Sequence, residues 1–101
     1  MRWLDNCRFD KLHSAVVLAL FRVTAIWPED KELWITSCND KTHMDGSKHY
    51  EGKAVDLRSH DFENPELTTG YIVKALGPQY TVLYEDPKTP NAHIHIQFNG
   101  E

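Results

Sequence analysis

Ala92-His93-Ile94-His95-Ile96-Gln97-Phe98 alternates between apolar and polar residues without a break. In a β-strand Ala92, Ile94, Ile96 and Phe98 project to one face, and His93, His95 and Gln97 to the other. That is the pattern of a half-buried sheet, with one side on a core and a histidine face over a cleft. Reading back from it, Tyr80 to Glu85 forms the partner strand of a hairpin, and Asp86-Pro87-Lys88-Thr89-Pro90-Asn91 forms the connection.

Lys53 to Arg58 reads as another strand, with Val55 and Leu57 toward a core and Ala54 and Asp56 on the opposite face. Gly52 just before it permits a tight bend that folds His49 back toward Asp56. Glu32-Leu33-Trp34-Ile35-Thr36-Ser37 is rich in strand formers, and Asn39 to Lys48, with Asp45-Gly46, reads as a loop. Leu12, Ala15, Val16, Ala19, Leu20 and Val23 share one helical face. Asp10 is the expected N-cap of that helix, Pro28 bars it beyond Trp27, and His13 sits in its first turn in a capping or solvated role. A second helix starts at Asn64-Pro65 and stops at Gly77-Pro78, with Leu67, Tyr71, Ile72, Ala75 and Leu76 as its apolar face. Gly70 predicts a close packing contact or a break near its start. These elements predict one α+β domain over residues 1–101, a small antiparallel sheet with two or three helices packed on one side.

The 101 residues suffice for one modest core. Apolar residues make up 41% and charged residues 26%, as in ordinary globular chains, and the net charge of −4 without a basic cluster argues against nucleic acid as a partner. Cys7 and Cys38 show no CxxC spacing and are expected as two thiols. Ala15 to Trp27 is too short for a membrane span and contains Arg22. Met1 to Asp5 lacks the basic start and apolar core of a secretion signal, so synthesis in a cytoplasm and a monomer are expected.

Of the six histidines, His43, His49, His93 and His95 flank or form the two motif runs. Neutral imidazole and carboxylate suit zinc, and three protein ligands leave a fourth position open for water. His49, Asp56 and His95 are the candidate ligands. An open zinc site activates water toward a carbonyl but needs a group to accept and redeliver the proton, and Glu85, ending the strand before the histidine strand, is the best-placed carboxylate. His93 lies about 6.5–7 Å along the strand from His95. That spacing argues against both ligating one ion and favours His93 as a donor to a substrate oxygen. Read blandly, Asp56 faces solvent and the histidines are structural.

Together, Ser47-x-His49-x-x-Gly52-x-Ala54-x-Asp56 and the terminal His93-x-His95 resemble the signature of zinc D-alanyl-D-alanine carboxypeptidases and phage L-alanyl-D-glutamate endopeptidases. The Hedgehog signalling domain shares that fold and site. His49-Tyr50-Glu51-Gly52-Lys53-Ala54-Val55-Asp56, and Tyr84-Glu85 leading to Ala92-His93-Ile94-His95, resemble it most closely. The resemblance spans about Trp34 to Phe98. It implies zinc on His49, Asp56 and His95, Glu85 as general base and His93 as an auxiliary polar group. The implied function is a metallopeptidase on peptidoglycan stem peptides or cross-links, a minimal core of phage or bacterial type. Bacterial members carry an arginine in a Ser-Gly-Tyr-Arg-like run; here Thr36-Ser37-Cys38-Asn39 has none, leaving Lys41 and Lys48 as candidates for a substrate carboxylate. The Hedgehog likeness also permits a zinc-stabilised binding module without turnover.

Overall fold

The computed structural model describes residues 1–5, 7, 9–38 and 52–100. His43, His49, Lys41, Lys48 and the 39–48 loop expected from sequence lie outside the described residues. In chain order the elements are β1 (Arg2–Trp3), a 3-10 turn (Phe9–Lys11), α1 (Ser14–Ile26), β2 (Trp34–Ser37), β3 (Ala54–Arg58), α2 (Pro65–Leu76), β4 (Tyr80–Glu85) and β5 (His93–Phe98).

The α+β class is as expected, but the sheet is mixed rather than purely antiparallel. Its order is β1-β2-β3-β5-β4, and β1 runs parallel to β2 while every other pair is antiparallel. The parallel pair is held by Arg2 N donating to Leu33 O at 2.8 Å and Leu4 N to Ile35 O at 3.1 Å.

α1 begins later than the sequence indicates. Asp10 lies in the 3-10 turn, and His13 is the N-cap, its Nδ1 accepting from Ala15 N at 3.0 Å. The helix ends because Trp27, preceding Pro28, is forced into an extended conformation, φ −68° and ψ 143°. α2 follows its punctuation. Asn64 Oδ1 accepts from Leu67 N at 3.3 Å, Pro65 opens the first turn, and Gly77 closes it at φ 85°.

Val16, Ala19, Leu20 and Val23 of α1 and Ile72 and Leu76 of α2 pack with Val55, Leu57, Ile94, Ile96 and Phe98 in one core, so both helices cover the same side of the sheet. Two expectations about α2 fail. Leu67 and Tyr71 are exposed, because the buried stripe is Pro65, Thr68, Ile72 and Leu76 and its rotation turns them aside. Gly70 meets nothing within 4 Å and the helix runs through it unbroken. Cys7 and Cys38 are buried thiols, not the halves of a disulfide. No helix among the described residues is long and apolar enough to cross a membrane.

Candidate metal centre

The alternation of β5 does what its sequence requires. Ile94, Ile96 and Phe98 are buried, while His93, His95 and Gln97 lie on the face away from the helices. Register then decides which groups meet. β5 lies between β3 and β4, with Asp56 opposite His95 on one side and Glu85 opposite His93 on the other. Cross-strand partners share a face with Cβ atoms about 4.5–5.5 Å apart, so four ionisable side chains converge from three strands.

His95 Nδ1 lies 2.9 Å from Asp56 Oδ1 and 4.0 Å from Glu85 Oε1. His93 Nε2 lies 3.0 Å from Glu85 Oε1 and 3.9 Å from Asp56 Oδ2. Donor atoms of Asp56, Glu85 and His93 all lie within 4.8 Å of one another. His95 is not part of that three-residue group; its ring meets Asp56 Oδ1 at 2.9 Å, whereas His93 Nε2 stands 3.9 Å from Asp56 Oδ2 and bonds to Glu85 instead.

Each ring is oriented from behind. His93 Nδ1 is 2.9 Å from the carbonyl of Asn91, to which its N–H donates. The 86–92 connection that presents this carbonyl is pinned by Thr89 Oγ1 donating to Asp86 O at 2.8 Å and by Ala92 N donating to Thr89 O at 3.0 Å. For His95 the outer partner is a side chain. Asn99 Nδ2 donates to Thr81 Oγ1 at 2.7 Å and Gln97 Nε2 donates to Asn99 Oδ1 at 3.0 Å. That leaves Gln97 Oε1 to accept from His95 Nε2 at 3.2 Å. For His95, an N–H held on Nε2 by Gln97 leaves Nδ1 as the lone-pair donor of the neutral ring, the usual support for a metal-ligating histidine.

Both imidazoles have raised pKa values. For His93 burial opposes the charge but is outweighed by the Asn91 carbonyl and by the Asp56 and Glu85 carboxylates. For His95 burial again opposes, and the hydrogen bonds to Asp56 and Gln97 with the nearby carboxylates outweigh it.

Among the described residues, Asp56, Glu85 and His93 form a group whose donor atoms lie close enough together to hold a metal ion, and imidazole and carboxylate are donor types that zinc accepts. Of the residues singled out in the sequence, Asp56, His95, Glu85 and His93 are brought together, and His49 falls outside the described residues. Gln97, Asn99 and Thr81 were not singled out, although Gln97 shares the histidine face in the alternation. Gly52 has φ 74°, and a Cβ there would collide with the carbonyl of Lys11. Its own carbonyl accepts from His13 N at 2.8 Å, which ties the entry to β3 to the start of α1. No protein-family model, curated protein or solved structure matches this chain.

Proposed function

We propose that the protein is a zinc-dependent metallopeptidase acting on peptidoglycan stem peptides or cross-links. One observation carries the hydrolytic reading. Two histidines and two carboxylates, contributed by three adjacent strands, converge on the sheet face opposite the helices, and each histidine is oriented by a separate outer acceptor. The peptidoglycan substrate rests on the sequence resemblance, as does the assignment of His49 as third ligand beside Asp56 and His95.

When bound there, zinc supplies Lewis acidity, lowering the pKa of a coordinated water and polarising a carbonyl. Glu85 is the proton carrier: its Oε1, partly exposed at the cluster, takes the proton of the attacking water and returns it to the leaving amine. His93, with Nδ1–H held by Asn91, presents Nε2–H in its charged form. It donates first to Glu85 and then to the oxyanion that develops on the substrate.

The test combines metal analysis with digestion. Purified protein is expected to hold one zinc per chain and to release peptides from purified sacculi, identified by mass spectrometry. Glu85→Ala should lose cleavage by about 10²–10⁴-fold while retaining the metal. Wild-type cleavage by Glu85→Ala refutes the assigned base. A zinc-loaded protein that digests no sacculi refutes the hydrolase and leaves a metal-stabilised binding module.

A further inference from the structure

We infer that Asp56, Glu85 and His93 bind a second divalent cation, zinc in excess, beside the ion proposed on His95, and that this second ion stops turnover by occupying the proton carrier. The inference rests on the hydrolytic reading of the same cluster and gives that site a regulation by free metal. Asp56 divides its carboxylate between the two histidines. Its Oδ1 lies 2.9 Å from His95 Nδ1, and its Oδ2 faces His93 Nε2 at 3.9 Å. One oxygen therefore serves the His95 side, and the other is turned toward His93 and Glu85. Donor atoms of Asp56, Glu85 and His93 lie within 4.8 Å of one another, so the three can close on one ion. A carboxylate shared in this way sets two ions about 3.5–4 Å apart, the spacing of two-metal sites.

The second set offers one imidazole nitrogen and two carboxylate oxygens, donor types that zinc accepts. His93 is already aimed, because the Asn91 carbonyl accepts its Nδ1–H and Nε2 faces the carboxylates. Without metal a proton bridges the 3.0 Å from Nε2 to Glu85 Oε1; the cation takes its place and the proton passes to solvent. The two halves of the cluster differ in access. The side chains of His95 and Asp56 are 13% and 16% exposed, whereas that of Glu85 is 43% exposed. The second ion therefore sits at the rim, where water competes for it, and it is repelled by the first. The groups it takes are those the chemistry needs. Glu85 bound to an ion no longer accepts the proton of water, and His93 bound to an ion has no N–H to offer an oxyanion. Turnover stops while the first ion stays in place.

The test counts zinc by equilibrium dialysis against buffered free zinc, with sacculus digestion on the same samples. The parent is expected to bind two ions per chain. The second should bind about 10²- to 10³-fold more weakly than the first, the scale of the repulsion between two dications about 4 Å apart in water. Digestion should peak with one ion bound and fall by about 10²–10⁴-fold as the second binds, the contribution of a proton carrier. Glu85→Gln and His93→Gln, each confirmed folded by circular dichroism, should lose the second ion and keep the first. A parent that binds a single ion at free zinc well beyond the expected second Kd overturns the site. So does undiminished affinity for the second ion in either folded variant. Digestion that does not fall with two ions bound overturns the blockade. The two readings fail separately: two ions without digestion at any free zinc refute only the hydrolase, and digestion by a one-ion protein indifferent to excess zinc refutes only the second site.

Discussion

His93 and His95, two residues apart on one strand, turn opposite ring nitrogens toward the same carboxylate: Nε2 of His93 and Nδ1 of His95. The difference comes from what stands behind them, a backbone carbonyl for one and the Gln97 amide for the other. Backbone cannot be mutated away, but Gln97 can. Gln97→Leu removes the acceptor for His95 Nε2–H and should weaken zinc binding about 10- to 100-fold in a chelator competition. Gln97→Glu keeps an acceptor and should recover most of the affinity; equal loss in both variants would mean that Gln97 merely packs. The raised pKa values give a second prediction. Protonation of both rings is favoured by folding, so this part of the metal-free stability is fully present below about pH 6.5. It is lost as pH rises through the elevated folded values. Urea denaturation of the metal-free protein, compared with a His93→Gln/His95→Gln variant, should show the parent's advantage shrinking above that pH. An advantage that grows with pH contradicts the assignment. Metal affinity runs the other way, because the ligating nitrogen must be deprotonated.

At the scale of elements, the entry to β3 is the joint on which the cluster depends. Gly52 adopts φ 74°, accepts from His13 N and approaches Lys11, so it connects the start of α1 to the strand carrying Asp56. Gly52→Ala adds both a disfavoured φ and a collision with backbone. It should cost more than about 1 kcal/mol in denaturant unfolding, and a neutral substitution would show the joint to be slack. The left-handed conformation of Gly52 was legible in the sequence, since a glycine before a strand has a local conformational meaning, but its tie to the start of α1 was not. The caps of α2 were legible too, where Asn64, Pro65 and Gly77 each suit one position. The four ionisable residues could be read from alternation, but their pairing could not. Asp56 meets His95 and Glu85 meets His93 only because β5 lies between β3 and β4, and strand order is a long-range property. β1 was illegible because two residues carry no period. Leu67 and Tyr71 were misassigned because apolar character does not say which side of a helix has neighbours. Asp10 lost the cap to His13 because the 3-10 turn at Phe9–Lys11 delays the helix.

For the whole molecule, the cluster sits on the sheet face away from the core and joins three strands, β3, β5 and β4. A chain of 101 residues buries a limited core, so an ion gripped by the native state alone becomes a large fraction of its stability. The stabilisation is RT ln(1 + [L]/Kd), about 4 kcal/mol when free metal is a thousandfold above Kd. In a domain of this size each kcal/mol moves the melting temperature by roughly 4–8 °C. Zinc loading should therefore raise the Tm by on the order of 15–30 °C over chelator-treated protein, in proportion to the logarithm of free zinc. Asp56 contacts both histidines, so Asp56→Asn should remove most of the increment, read as the difference between the variant's own zinc-loaded and chelator-treated melts. A full zinc-dependent rise in Asp56→Asn would mean that the ion binds elsewhere. A parent protein whose melt ignores zinc would mean that the four side chains are satisfied by one another, as two histidine–carboxylate pairs closing the face of the sheet.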